Sequence, residues 1–569
     1  MSGKMLLRGT LILAGAALVA RVLGVVQRIP LQRLLDDAGM STYVTSYNVY
    51  MWLLVLATAG FPSAIAKLVA EKRALGRPEE GEAIRRAANR YAWGAGIVAA
   101  ALVYALAPAL AALNKDPSAT LAIRALAPAL IVFPWIAVER GYFHGLQRMG
   151  ANGLSQIWEQ ILRVVSSVLL AYWLLALGWG GAWAAAGASF GGVLGAVAAA
   201  VVMLYYGRKL RRDAAAVRAV AAAGGDGGAV AVPVATTLSP EVGAAAPTAR
   251  ETADVSSFRS IFRAILRLSV PVSITALAVP TVYLIDSLAT KPLLLAQYGD
   301  ALAQHLQGLL TGRAQAIAGI PVIFAIALSQ SILPIVSAAF ARRDEAETER
   351  QTSLALRMTL LSGAPAVVVL ATAAFSLNTM IFQDAEGSWI IIAMVVSVLF
   401  QVVMMTSGSI LLGLGRPELP MRHIAIGVAV KLAATFALAP FLGVYGVAAA
   451  TALCFAVTTA LNLRALRRLV RFSFFDGRGS RFAATILIQA LVGAAVGWAA
   501  YAFVRPFGVS FWDAFLQTAL AAGLTASLYP ALLLRTGAFA AADAASLPPK
   551  ARKLWDRAEP WLRKARLVR

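Results

Sequence analysis

Four positive charges stand inside long apolar runs of this chain: Arg21, Arg28, Arg163 and Lys431. Arg21 lies within LILAGAALVARVLGVV, and Gln27-Arg28-Ile29-Pro30 follow shortly after it. A charge at bilayer depth costs about 2.5–3.5 kcal/mol on insertion scales, so it faces a bundle interior or a wet cavity. Arg33, at the end of the run, can reach back to the headgroups along its apolar stem, but Arg21 is too deep for that. Further along, Gln156, Glu159, Gln160 and Arg163 recur at i, i+3, i+4 and i+7, which makes one polar stripe on a helix. The stripe is either part of a hydrophilic lumen or a Glu159–Arg163 pair joining helices. Lys431 has apolar residues on both sides and is open to the same two readings. Lys67 sits nearer the cytoplasmic edge, where it either lines the lumen or snorkels. Tyr47 and Asn48 serve packing or binding, and Glu139-Arg140 forms an interfacial pair or a gate. A lumen lined by these mostly positive groups calls for an anion, and arginine matches phosphate oxygens bidentately. The candidate substrate-binding set is therefore Arg21, Gln27, Arg28, Asn48, Lys67, Glu159, Arg163 and Lys431.

The elements that hold these residues follow from composition. Of 569 residues, 59% are hydrophobic and 14% charged, with a mean hydropathy of +0.72. A soluble protein of this size could not cover that much apolar surface, so the chain is a polytopic, all-α membrane protein. Apolar runs predict fourteen spans: 6–35, 41–71, 88–113, 119–146, 153–178, 181–209, 259–291, 312–341, 353–382, 388–414, 419–440, 443–470, 481–505 and 510–535. Loops after even-numbered spans are basic, as in Lys72, Arg73 and Arg77, or Arg464, Arg467 and Arg468, whereas the others are short, neutral or acidic. The alternation places both termini in the cytoplasm. It also explains the net charge of +23 without nucleic acid. The first run superficially resembles a signal peptide, but it is too long and lacks a cleavage site, so it is read as a retained helix. One cysteine, Cys454, and three scattered histidines give no disulfide framework, no metal site and no cofactor site.

Between Arg212 and Phe258 the composition turns to Ala, Gly, Pro and Thr, which reads as a disordered cytoplasmic linker over 213–257. The expected domains are a first lobe over 1–212, a second over 258–471, two extra spans over 472–535 and a tail over 536–569. The halves echo each other. GFPSAIAKLVAEKRA (Gly60–Ala74) resembles ILPIVSAAFARRD (Ile332–Asp344), and the loop GLQRMG at Gly145 resembles GLGRPELP at Gly413. Transporters commonly bind substrate between such repeats. In the tail, Leu554, Trp555, Ala558, Trp561, Leu562 and Ala565 share one helical face opposite basic residues, which suits anionic lipids of the cytoplasmic leaflet.

The first-span ARVLGVVQRIPL, the GFPSAIAKLVAE segment, the GLQRMG loop and GLGRPELPMRHIAIGVAVKL resemble the polysaccharide-transport branch of the multidrug/oligosaccharidyl-lipid/polysaccharide (MOP) exporter superfamily. Within it the resemblance is to the SpoVB/YtgP and MurJ-type lipid II flippases, over nearly the whole chain except linker and tail. It implies a MATE-like fold of two six-helix lobes with a V-shaped cavity, followed by two further helices that form a groove for a lipid tail. It implies flipping of an undecaprenyl-diphosphate-linked sugar, lipid II above all, from the inner to the outer leaflet of a bacterial cell membrane by alternating access. The protein would then be a monomer and not an enzyme. Arg21 matches one cavity arginine of that family; Arg28 lies one residue from another, where this chain has Gln27; Lys67 stands loosely for a third. Some relatives use sodium at an acidic residue of span seven, for which Asp286 is the candidate, although spans eleven and twelve lack a partner carboxylate. Coupling to Na+, to H+ or to the membrane potential stays open.

Two other readings compete. A MATE-type cation or drug antiporter would carry a carboxylate in span one, where this chain has arginine. An integral-membrane glycosyltransferase would use an acidic pair such as Asp36-Asp37 just outside span one. No large outer domain accompanies that pair.

Overall fold

The computed structural model describes residues 3–58, 60–223, 273–504 and 511–539, without the side chains of some residues in the first and ninth helices, Arg21 among them. The basic tail from residue 540 onward and most of the expected linker lie outside the described residues. In order, the helices are α1 (Gly3–Thr58), α2 (Phe61–Ala74), α3 (Pro78–Leu113), α4 (Ala119–Leu126), α5 (Ala129–Gly145), α6 (Met149–Ala176) and α7 (Gly181–Ala223). There follow α8 (Ala278–Gly308), a π-helical turn (Leu309–Ala314), α9 (Gln315–Ala341), α10 (Glu345–Thr372), α11 (Ala374–Phe382) and α12 (Ser388–Gly413). The series ends with α13 (Glu418–Leu442), α14 (Val444–Leu469), α15 (Gly479–Val504) and α16 (Phe511–Thr536). No strand occurs among the described residues. An all-helical answer is what a bilayer demands, because helices satisfy every backbone polar group internally.

Eleven stretches of helix among the described residues are long and apolar enough to cross a membrane, against the fourteen expected. The first two expected spans merge into one such stretch, the range expected for span seven includes residues outside the described set, and that for span eight includes residues whose side chains are not described. The remaining ten expected spans each coincide with one. The chain is thus a multi-pass membrane protein.

Local chemistry sets the breaks. Within α1, Asp36 adopts φ 57° and its Oδ1 accepts the Gly39 N–H at 2.9 Å, a short side chain capping its own turn. Asp37 is buried and accepts Gln32 Nε2 at 2.5 Å. The two carboxylates considered for glycosyl transfer are therefore engaged in closing the bend between the first two spans. The expected fourth span divides at Pro128 into α4 and α5. The neutral loop expected between residues 291 and 312 is helical instead, broken at Gly299 (φ 75°). α7 also continues past Asp213 to Ala223.

The helices form two compact units, residues 1–292 and 293–569. In the first, α6 holds its polar stripe on a face where Gln160 and Arg163 are buried and Gln156 and Glu159 half-buried, whereas Trp158, Leu162, Val165, Leu169, Tyr172 and Trp173 are exposed on the other. That division is the 3.6-residue period of a helix with one side in lipid. α7 meets the polar side with Gly187, Gly191 and Gly195, one per turn. A Cβ at Gly191 would lie 2.6 Å from the Ser167 backbone N, and one at Gly195 would lie 2.8 Å from the Glu159 carbonyl oxygen. In lipid, helices gain little from apolar burial against each other, and close packing of small residues replaces it.

In the second unit α13 and α14 pack at Gly427, where a Cβ would meet the Thr458 hydroxyl at 2.0 Å. α15 and α16 dock on α10. Phe475 stacks on Phe482 at 4.3 Å, Arg357 donates to the Phe474 carbonyl at 2.8 Å and pairs with Asp476, and the Tyr529 hydroxyl donates to the Leu361 carbonyl at 2.8 Å. The two echoing loops end their helices with the same cap, which the chain also uses at residues 75–77, 114–116, 177–179 and 342–344. After Tyr142–His144, N–H groups of Leu146, Gln147 and Arg148 bond back to residues 142, 144 and 143, and Leu414, Gly415 and Arg416 repeat the pattern onto 410, 412 and 411. Gln147 and Gly415 take the positive φ that this helix end requires.

Candidate functional site

The polar face of α6 meets the second limb of α1 in the first unit. Along that limb Tyr43, Tyr47 and Tyr50 form a ladder, with ring centroids 6.3 Å and 6.4 Å apart, and Phe133 of α5 closes it edge-on at 6.0 Å. Gln27 is buried and donates to the Tyr43 hydroxyl at 3.2 Å. Arg28 and Arg163 both lie within electrostatic reach of Tyr43. Four of the eight candidate residues, Gln27, Arg28, Glu159 and Arg163, therefore gather around this ladder. Arg21 is on the same helix, but its side chain lies outside the described residues.

Glu159 is the hub of the charges. Its two oxygens accept Arg163 Nη2 at 2.7 Å and Arg140 Nη2 at 2.8 Å. Arg140 also donates to the Ser155 hydroxyl at 2.8 Å, and Asn152 holds the Arg140 carbonyl at 2.9 Å. Arg163 is thus in a carboxylate pair, the second of the two readings open for the stripe. One carboxylate serves two guanidiniums, which leaves the triad with one positive charge. The expected Glu139–Arg140 pair does not form. Consecutive residues on a helix point about 100° apart, so Glu139 turns the other way and accepts Arg85 Nε at 3.0 Å, Arg85 Nη2 at 2.9 Å and Asn89 at 2.8 Å.

The other candidates are elsewhere. Asn48 is buried and donates to the Ser287 hydroxyl at 2.7 Å and more weakly to the Tyr283 carbonyl at 3.4 Å, so it fastens α1 to α8. Asp286, next to Ser287, is fully buried, as is nearly all of Lys291, a cation that the sequence reading passed over. Lys67 is exposed on α2, outside the cluster. Lys431 departs from the lumen-facing expectation: it is fully buried, and its ammonium donates to the Val447 carbonyl at 3.0 Å and the Thr451 hydroxyl at 2.8 Å within the α13–α14 contact. A second missed cation, Arg313 in the π-helical turn, pairs with Asp384 at 2.6 Å and stacks over Phe382.

The second unit carries an apolar groove of about 370 Å³, lined by Ile320 and Pro321 of α9, Pro365, Val369 and Leu370 of α10, and Tyr529 of α16. Among its walls only the Tyr529 hydroxyl could offer a side-chain hydrogen bond, and it is already bonded. Such a surface suits a hydrocarbon chain.

A helical, multi-pass membrane protein with a polar seam in one unit and an apolar groove in the other has the build of an exporter. Comparison with known proteins agrees: the family model described as polysaccharide biosynthesis protein matches residues 6–340, and the chain belongs to that family. Among curated relatives, it is 26% identical to the lipid II flippase MurJ of Bacillus subtilis (strain 168), over 94% of this chain and 95% of that one. It is also 26% identical to stage V sporulation protein B of the same organism, over 87% and 90%. Among solved structures, its fold is similar to that of the lipid II flippase MurJ in an inward closed conformation, with TM-score 0.63 at 12% identity over 92% and 99% of the chains. An inward-facing multidrug resistance MATE family transporter of the MOP superfamily matches with TM-score 0.59 at 16% identity, over 80% and 94%.

Proposed function

We propose that this protein flips an undecaprenyl-diphosphate-linked sugar precursor, lipid II above others, from the inner to the outer leaflet of a bacterial cell membrane by alternating access. The observation that carries the reading is the gathering of guanidiniums in the α1–α5–α6 seam, where Arg140 and Arg163 share one glutamate and Arg28 lies within electrostatic reach of Tyr43. Fixed guanidiniums in a membrane interior match the diphosphate, the one strongly charged part shared by such lipids. The apolar groove along α10 and α16 suits the prenyl tail. The relatives named as lipid II flippase and sporulation protein support the same substrate class. The basic loops after even-numbered spans support a cytoplasmic location for both termini.

The sign of the seam disfavours a cation or drug antiporter, despite the MATE-like fold. The membrane potential acts on the cycle at about 2.3 kcal/mol per elementary charge per 100 mV. It favours inward return of an empty cationic site, so turnover in proteoliposomes should rise with an inside-negative potential.

The test is depletion of the protein followed by measurement of lipid II accumulation on the inner leaflet, with Arg28→Ala supplied in trans. The variant should reach the membrane at the parental level and fail to relieve accumulation. Full relief by Arg28→Ala would overturn the site assignment, and absence of accumulation on depletion would overturn the substrate.

A further inference from the structure

Beside the Tyr43–Tyr50 ladder lies a cavity of about 10 Å³, walled by Tyr43, Tyr47, Tyr50, Leu126, Arg163 and Ser189 with two small residues, Ala188 and Gly192. Two of its wall residues carry buried polar atoms that have no hydrogen-bond partner: the Tyr50 hydroxyl and Arg163 Nε. The residues are 1% and 8% exposed, so bulk water does not serve them. Orphaned buried donors are rare in folded proteins, and two facing one cavity point to an occupant.

We propose that this cavity binds one small monovalent anion, a halide such as chloride. Three features select that chemistry. First, the atoms waiting for a partner include a guanidinium N–H, which can only donate, and a phenol O–H, which can donate as well. No wall residue is acidic, so a cation would find no counter-charge there. Secondly, the charges call for an anion. Glu159 is shared by Arg140 and Arg163, and the triad keeps one positive charge in a region largely withdrawn from water. A neutral water could fill the space but would leave that charge standing. Thirdly, the room is about that of a single water-sized sphere, which rejects phosphate, sulfate or a carboxylate and takes a halide only with a small outward shift of the wall side chains. The Ser189 hydroxyl, held by Ser46 at 2.8 Å, completes a polar edge, while Leu126, Ala188 and Gly192 keep the rest of the wall apolar.

The site shares Arg163 with the seam proposed for the diphosphate, but its test needs no transport and so reads the anion separately. The full-length protein, purified in detergent, is unfolded thermally in sodium gluconate while chloride or bromide replaces gluconate at constant ionic strength. The midpoint should rise saturably with either halide and stay flat with sulfate. Tyr50→Phe keeps the ring and removes one donor, and should raise the half-saturating concentration about tenfold, the ratio expected for one hydrogen bond to a charged partner. Arg163→Gln removes the surplus charge yet leaves Arg140 paired with Glu159, and should abolish the halide effect. Should Arg163→Gln not fold, the Tyr50→Phe shift decides alone. A midpoint indifferent to halide in the parent, or an unchanged halide dependence in Tyr50→Phe, would overturn the proposal. A bromide anomalous peak within hydrogen-bond distance of Arg163 Nε would support it, and a water refined there in bromide-soaked crystals would overturn it. Loss of lipid flipping with the halide effect intact would count against the flippase reading alone.

Discussion

Arg163 and Lys431 hold the same place in the two halves of the chain. Each lies fifteen residues after the arginine that ends a repeated loop, Arg148 in one and Arg416 in the other. Their surroundings differ. Arg163 shares a carboxylate with Arg140, its Nε has no hydrogen-bond partner, and the residue lines a small cavity. The Lys431 ammonium is fully buried and donates to a carbonyl and a hydroxyl of the next helix. A planar guanidinium has five donors in a rigid fork and can hold a partner and still reach another group; an ammonium is a compact point charge that its near oxygens can surround. The same register after two similar loops has thus given a poised cation in one unit and an embedded one in the other.

The comparison can be broken first at Glu159. Glu159→Ala leaves two buried guanidiniums facing each other, and should cost on the order of 3–5 kcal/mol in thermal unfolding of the detergent-purified protein. Glu159→Ala combined with Arg163→Gln should recover part of that loss; no recovery would mean that the charges do not communicate. In the other unit, Thr451→Val removes one bond to the Lys431 ammonium and should cost about 1.5–3 kcal/mol, insensitive to halide. The packing beneath the two cations gives the smallest contrast. Gly191→Ala would press a methyl on the Ser167 backbone, which cannot rotate away, and should cost about 1–3 kcal/mol. Gly427→Ala meets first the Thr458 hydroxyl, which can turn, and should cost less by the same measurement.

Much of this architecture could be read from the chain because the bilayer imposes one rule on every span. Apolar length located most of the helices. The polar stripe of α6 was legible because 156, 159, 160 and 163 share a face whatever the tertiary structure does. What they touch was not. Glu139 and Arg140 look like a pair when written side by side, yet each bonds a different helix. Tyr43 and Tyr50 carried no signal in the sequence, since nothing local shows that a guanidinium from α6 approaches them. Lys431 suggested a wet wall because its sequence neighbours are apolar, but Val447 and Thr451 supply its oxygens from the following helix. Arg313 was hidden by position, near the start of an expected span where a charge seems unremarkable; its partner is Asp384, seventy-one residues away.

The opposed ion pairs of Glu139 and Arg140 carry a mechanical consequence. A single dipeptide of α5 clamps α3 on one side and α6 on the other, so no one of the three can slide without parting opposite charges in a medium that resists it. Any motion of this unit must carry those three helices as one lever, with flexing left to segments outside the clamp.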